Sequence, residues 1–280
     1  MKDYQDGYVN AGGTRIHYVE WGDPSKEPVI LIHGLNVQAH TWDLVARGLA
    51  KDHRVIAPDL RGHGESDWSK NGYRVRTLMN DIAALVDELG IVAPFHLVGH
   101  SAGVRVAIAY AGEHADRVKT LSLSDAGPET TRAGAEYMRD FIQRTVSIRG
   151  FRNAQEAWDY YKNEHPEWVE ELIDLHVEHQ LRRNWAGKLV LKADPDVQWI
   201  TGSASLPDIP YLWDMSAKAT MPTLLMVGRT SNVLDEALVE RMTTVMPNAR
   251  AVWFETGHYV PREQPDKFLE ELQAHFAEGQ

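Results

Sequence analysis

No cysteine occurs among the 280 residues, which excludes disulfides and thiolate metal sites. That composition suits a reducing cytoplasm, where we expect the protein to act. No apolar run approaches the roughly 20 residues that a membrane helix requires. The opening stretch MKDYQDGYVNAGG lacks the apolar core of a signal peptide. Positive charge is scarce: 29 Lys and Arg face 40 Asp and Glu, a formal charge of −11. This balance disfavours nucleic acid and anionic membrane surfaces as partners. There is no internal repeat, no low-complexity tract, no Gly-rich dinucleotide fingerprint and no phosphate loop. The expectation is a monomer or homodimer acting on a small molecule without a cofactor.

What is present is a globular balance, 43% hydrophobic and 25% charged, in a chain long enough to bury its own core. Short apolar runs at 15–21, 28–34, 53–60, 95–99 and 117–127 read as strands. Gly12-Gly13 marks a turn from an earlier short strand. Helical spacing falls between the runs, at 42–50, 75–90 and 102–113. Near-continuous apolar strands alternating with helices indicate a parallel sheet covered on both faces. The rhythm breaks after Pro128. Residues 128–217 hold five of the nine tryptophans and mostly helical, charged segments, including EHPEWVEELIDLHVEHQL as one helix. It returns with a strand at 222–228, a helix at 235–246, a strand at 249–255 and a helix from Pro265. The expected organisation is therefore a core of 1–127 and 218–280 and a helical cap of 128–217. The cap would lie over the sheet's C-terminal edge, where open α/β sheets bind ligands.

GHSAG, residues 99–103, follows a strand and opens a helix, the context of a nucleophile elbow. Gly99 and Gly103 would let the backbone turn sharply and hold Ser101 above the sheet, at a helix N-terminus that favours negative charge. A bare Gly-x-Ser-x-Gly also suits an ordinary serine in a small-residue turn. A serine nucleophile needs a base of near-neutral pKa. His258, in FETGHYVPREQP, sits in the loop between the last strand and the last helix, where functional side chains concentrate. His100, beside the serine, reads as packing. His176 and His179 lack a third ligand, so no metal site is expected. IHGLN, residues 32–36, ends a strand. The N–H groups of Leu35 and Ala102 would make a two-donor oxyanion cradle, worth a few kcal/mol per donor. His33 would brace that loop.

HG at 33–34, DLRGHGESD at 59–67, GHSAG at 99–103 and GHYVPREQP at 257–265 resemble, in order and spacing, the α/β-hydrolase fold family. The resemblance covers essentially the whole chain outside the cap. It implies a mostly parallel eight-stranded sheet flanked by helices, a lid after strand six, and a Ser–acid–His triad in that chain order. In most relatives the acid follows strand seven. Here that stretch reads VGRTSNVLDEA, with Thr230, Ser231 and Asn232 where the acid is expected. Asp125, at the end of strand six, is the first choice, since some members place their acid there; its bland alternative is a loop cap. Asp235 is second, although it better suits the first turn of the next helix. Glu255, on the final strand, is third. Relatives that are haloalkane dehalogenases or epoxide hydrolases use an aspartate at the elbow, and Ser101 argues against both.

The expected function is hydrolysis of a small-molecule ester, amide, lactone or carbon–carbon bond through an acyl-enzyme. The alternative is cofactor-free oxygenation of an N-heteroaromatic compound by a His–Asp base. A third possibility is a binding protein that keeps the triad. Asn36 and Trp42 are expected in the pocket by their nearness to the oxyanion loop. Arg105 reads as a salt-bridge partner under the cap or a binder of a substrate carboxylate. Of the cap aromatics Trp158, Tyr160, Tyr161, Trp185, Trp199, Tyr211 and Trp213, two or three are expected to line the pocket, with Trp199 and Trp213 foremost.

Overall fold

A computed structural model describes residues 3–70, 72–200 and 202–279. The chain opens with the hairpin β1 (Tyr4–Ala11) and β2 (Thr14–Trp21), turned by Gly12 and Gly13 at φ 60° and 91°. Next come β3 (Pro28–Ile32), α1 (Asp43–Leu49), β4 (Arg54–Pro58), α2 (Val75–Glu88), β5 (Phe95–His100), α3 (Ala102–Glu113) and β6 (Val118–Ser124). The intervening segment holds α4 (Arg132–Ser147), α5 (Ala154–Glu164), α6 (Glu170–Gln180), a small ribbon of β7 (Leu181–Arg183) and β8 (Leu189–Leu191), and α7 (Ile209–Lys218). The chain closes with β9 (Thr223–Gly228), α8 (Glu236–Val245), β10 (Ala249–Phe254), α9 (Val260–Glu263) and α10 (Pro265–Glu278).

Eight strands form one sheet in the order β1-β2-β4-β3-β5-β6-β9-β10. β1 and β2 are antiparallel to their neighbours, and all pairings from β4 to β10 are parallel. Alternation along each strand splits the core in two. Ile30, Ile32, Leu97, Leu121, Leu123 and Leu225 face one side, under α2, α3, α7 and α8. Val29, Leu31, Val98, Leu224 and Met226 face the other, under α1 and α10. A separate apolar cluster, including Phe151, Tyr161, Trp168 and Ile173, holds the inserted helices together. By contrast, Leu212 and Met215 of α7 pack into the sheet cluster beside α3.

The segment 164–181 is two pieces rather than the single helix expected. Pro166 cannot continue α5, and His165 leaves helical geometry at φ −133°, ψ 66°. No helix among the described residues is long and apolar enough to cross a membrane.

Candidate active site

Ser101 stands at the junction of β5 and α3 with φ 54° and ψ −122°, a backbone conformation that L-residues rarely adopt. Its flanking glycines are required by contact. A Cβ on Gly103 would lie 2.3 Å from the Ile32 carbonyl oxygen, and one on Gly99 would lie 2.6 Å from the Gly103 oxygen. Gly34 passes directly over the serine, where a Cβ would sit 3.4 Å from Ser101 Oγ. The sharp turn thus fits because Gly99 and Gly103 carry no side chain, and Gly34 packs tightly beside it.

Three side chains from distant parts of the chain meet here. His258 Nε2 lies 2.9 Å from Ser101 Oγ. His258 Nδ1 lies 2.7 Å from Asp125 Oδ2. A carboxylate only accepts, so Nδ1 carries the proton and Nε2 faces the hydroxyl with its lone pair. Asp125 follows β6, is fully buried and also has positive φ, 53°. Its Oδ1 accepts the Gly228 N–H at 2.9 Å, and its Oδ2 accepts the Ser231 hydroxyl. In sequence Ser231 stands where most relatives carry the acid. In the fold it donates to the acid supplied by the adjacent strand.

The loop after β3 is braced from below. His33 Nε2 accepts the Leu60 N–H at 2.9 Å, and its Nδ1 donates to the Gly34 carbonyl at 2.7 Å. This pattern requires a neutral ring, and burial lowers the His33 pKa accordingly. Asp59 organises the DLRGHGESD loop by accepting the N–H groups of Ala39 at 2.7 Å and Glu65 at 2.8 Å. Asn36, at φ 56°, is held by Gln180 Nε2, which donates to its carbonyl at 2.7 Å. His100 packs against His258 with ring centroids 5.1 Å apart; burial, then the nearby charges of His258 and Arg262, hold its pKa well below the usual value.

Beside these groups opens a cavity of about 540 Å³, lined by Leu35, Asn36, Tyr137, Tyr160, Tyr161, Trp168, His258 and Arg262 among others. A narrow neck of about 20 Å³ holds Ser101, with Gly34 and His100 in its wall, and shares Tyr137, His258, Tyr259 and Arg262 with the cavity. The Asn36 Nδ2 donor is buried without a protein partner. Sequence reasoning missed Tyr137, Trp168, Tyr259 and Arg262. Only the last two had a signal, lying one and four residues beyond His258.

Several expected site residues lie elsewhere. Trp42 is buried in the core under α10, its ring 6.1 Å from Phe268, and lines neither cavity nor neck. Trp213 lies under the Arg241 guanidinium at 3.8 Å and donates to Glu129 at 3.3 Å. Among the described residues Arg105 makes no ion pair under the inserted segment, contrary to the first expectation. It donates to Ser205 Oγ and Thr130 Oγ1, both at 2.9 Å, tying together the two ends of the inserted segment. Trp199 is in a 3-10 turn, and its side chain falls outside the described ones. Asp235 caps α8, accepting the Leu238 N–H at 2.8 Å. Glu255 pairs with Arg229 at 2.8 Å on the surface. His179 stacks on His40 at 3.6 Å while His176 packs on Tyr161. A different trio, Glu27, His53 and His96, brings potential ligand atoms within 4.8 Å of one another. It lies at the N-terminal ends of the strands, away from Ser101, and Lys119 already pairs with Glu27.

The comparisons agree with this architecture. Residues 27–265 match the family model of the alpha/beta hydrolase fold. The chain belongs to the α/β-hydrolase fold family. It is 31% identical to an esterase of Mycobacterium tuberculosis over 271 residues, 94% of this chain and 86% of that one. It is 33% identical to a 3-hydroxybutyrate-oligomer hydrolase of Cupriavidus necator over 144 residues, 50% of this chain. The chain spans about half the length of that protein, 49%. The solved structure of E-2-(acetamidomethylene)succinate hydrolase superposes with a TM-score of 0.87 at 21% identity, covering 98% of this chain and 99% of that one.

Proposed function

We propose that the protein is a serine hydrolase that cleaves a small-molecule ester or a related acyl compound through an acyl-enzyme. The observation that carries the reading is the unbroken relay from Ser101 Oγ through His258 to Asp125, at 2.9 and 2.7 Å. In this reading Ser101 Oγ attacks the substrate carbonyl while His258 Nε2 takes its proton. The Leu35 and Ala102 N–H groups receive the developing oxyanion. Asp125 stabilises the imidazolium, which then protonates the leaving group. Water repeats the sequence on the acyl-enzyme, releasing the acid and restoring Ser101. Residues 128–217 serve as the cap, with α4 to α6 walling the cavity and α7 anchored on the core.

The test is turnover of an ester panel by wild type and Ser101→Ala, with fluorophosphonate labelling. The reading expects covalent labelling at Ser101 and loss of at least 10³-fold in the variant. Near-full turnover by the variant, with oxygen uptake on an N-heteroaromatic compound, would instead assign base chemistry to His258 and Asp125.

A further inference from the structure

Arg262 is 4% exposed and lines both the cavity and the neck that holds Ser101. Its guanidinium lies over the rings of Trp168, at 4.7 Å, and Tyr259, at 5.2 Å. Among the described residues no carboxylate lies within ion-pair distance of it. The acids in the cavity wall lie against other groups. Glu263 accepts the N–H groups of Gly257 and Tyr259, at 2.8 and 3.1 Å. Glu167 lies 3.4 Å from the neutral His165 ring, and Glu164 faces Arg144 at 3.9 Å. A guanidinium has five donors in a planar fork that matches a carboxylate. Burying it unpaired is costly, and an anion entering the cavity would remove that cost.

We propose that the substrate carries a carboxylate, a short chain away from the scissile carbonyl, that docks on Arg262. The proposal rests on the serine-hydrolase reading and names the substrate class of that site. Ser101 and Arg262 line the same neck of about 20 Å³, so the carboxylate would sit within a few atoms of Ser101. Burial lowers the Arg262 pKa only to about 10, so the cation persists at neutral pH. Tyr137, hydrogen-bonded to Tyr259 in the same wall, has its pKa raised by burial, so both rings stay uncharged. The competing role is a post clamped between Trp168 of the inserted segment and Tyr259 of the core, which would be indifferent to substrate charge.

Monomethyl and dimethyl glutarate differ in one charge and share a carbon chain, and both can be followed by proton release at constant pH. Wild type is expected to favour the monoester at least tenfold in kcat/KM. Arg262→Met should collapse that ratio by about 10- to 100-fold, mainly through KM, and Arg262→Lys should fall between. Glutarate, but not its dimethyl ester, should raise the melting temperature of Ser101→Ala, which leaves the diester intact. A wild-type preference for the diester, a ratio unmoved in both Arg262 variants, or equal thermal shifts by acid and diester would each overturn the proposal. If Arg262→Met does not fold, the wild-type ratio and the glutarate shift decide alone. The two readings separate in Ser101→Ala: full turnover there defeats the hydrolase mechanism, whereas an inactive Ser101→Ala with no charge preference in wild type defeats only the carboxylate.

Discussion

Asp125→Asn isolates what the carboxylate does for His258. Asn fills the same space, so the fully buried site is not emptied. Its amide must choose an orientation. The Gly228 N–H donates at 2.9 Å to the position of Oδ1, which holds the amide oxygen there. The NH₂ group then faces His258 Nδ1 at the 2.7 Å contact now made by Oδ2. Two donors cannot share that contact, so the imidazole proton moves to Nε2. Nε2 can then no longer accept from Ser101 across 2.9 Å. Wrong-tautomer imidazoles in Ser–His–Asp sites cost roughly 10⁴ in kcat, about 5 kcal/mol of barrier. Ser231→Ala removes one donor to the same oxygen but leaves the tautomer intact, so about tenfold is expected. The assay is kcat/KM on an activated ester together with the fluorophosphonate labelling rate, with melting temperatures to verify folding. A labelling rate in Asp125→Asn above a tenth of wild type, or a larger loss in Ser231→Ala, would refute the tautomer argument.

Asp235→Ala should cost about 1 kcal/mol of stability by removing the α8 cap, with kcat/KM unchanged; urea unfolding and the ester assay measure both. Trp42→Ala should cost about 3–5 kcal/mol, because the ring is core rather than pocket, while the ratio of rates between short and long esters stays fixed. Acid should destabilise the fold through histidines buried in neutral form. Burial holds His63 and His165 at about 3, well below 6.5. A depressed folded pKa means that the unfolded chain takes up the proton first, so this stability is complete above 6.5 and is lost as pH falls towards 3. Between pH 7.5 and 5.5 each such histidine should remove about 1.4 kcal/mol. Chemical denaturation at the two pH values checks this; a flat result would contradict the burial of those rings.

The sheet was legible because parallel strands buried on both faces are nearly continuous apolar runs, as at Val29–Ile32 and Leu224–Val227. The serine, the imidazole and the preferred acid were legible because each sits at a strand end marked by glycine or a polar break. Side-chain direction was not. Trp42 is near the oxyanion loop in sequence, but its position on the edge of α1 turns it towards α10 rather than the cavity. Arg105 read as a charge seeking a charge, yet the partners it meets in the fold are two hydroxyls and a carbonyl. Arg262 is in sequence only one more residue of the loop beyond His258, and only the fold brings Trp168 and the neck around it. Ser231 exposes the limit of pattern matching, since a residue that looked like a vacancy supports the acid from the neighbouring strand.

Among the described residues the only non-glycine positions with positive φ are Asn36, Ser101 and Asp125, and all three converge on one cleft. Glycine would relax each of them by about 1 kcal/mol or more. Glycine at 101 or 125 would thus relieve strain by deleting the very hydroxyl or carboxylate on which the proposed relay depends.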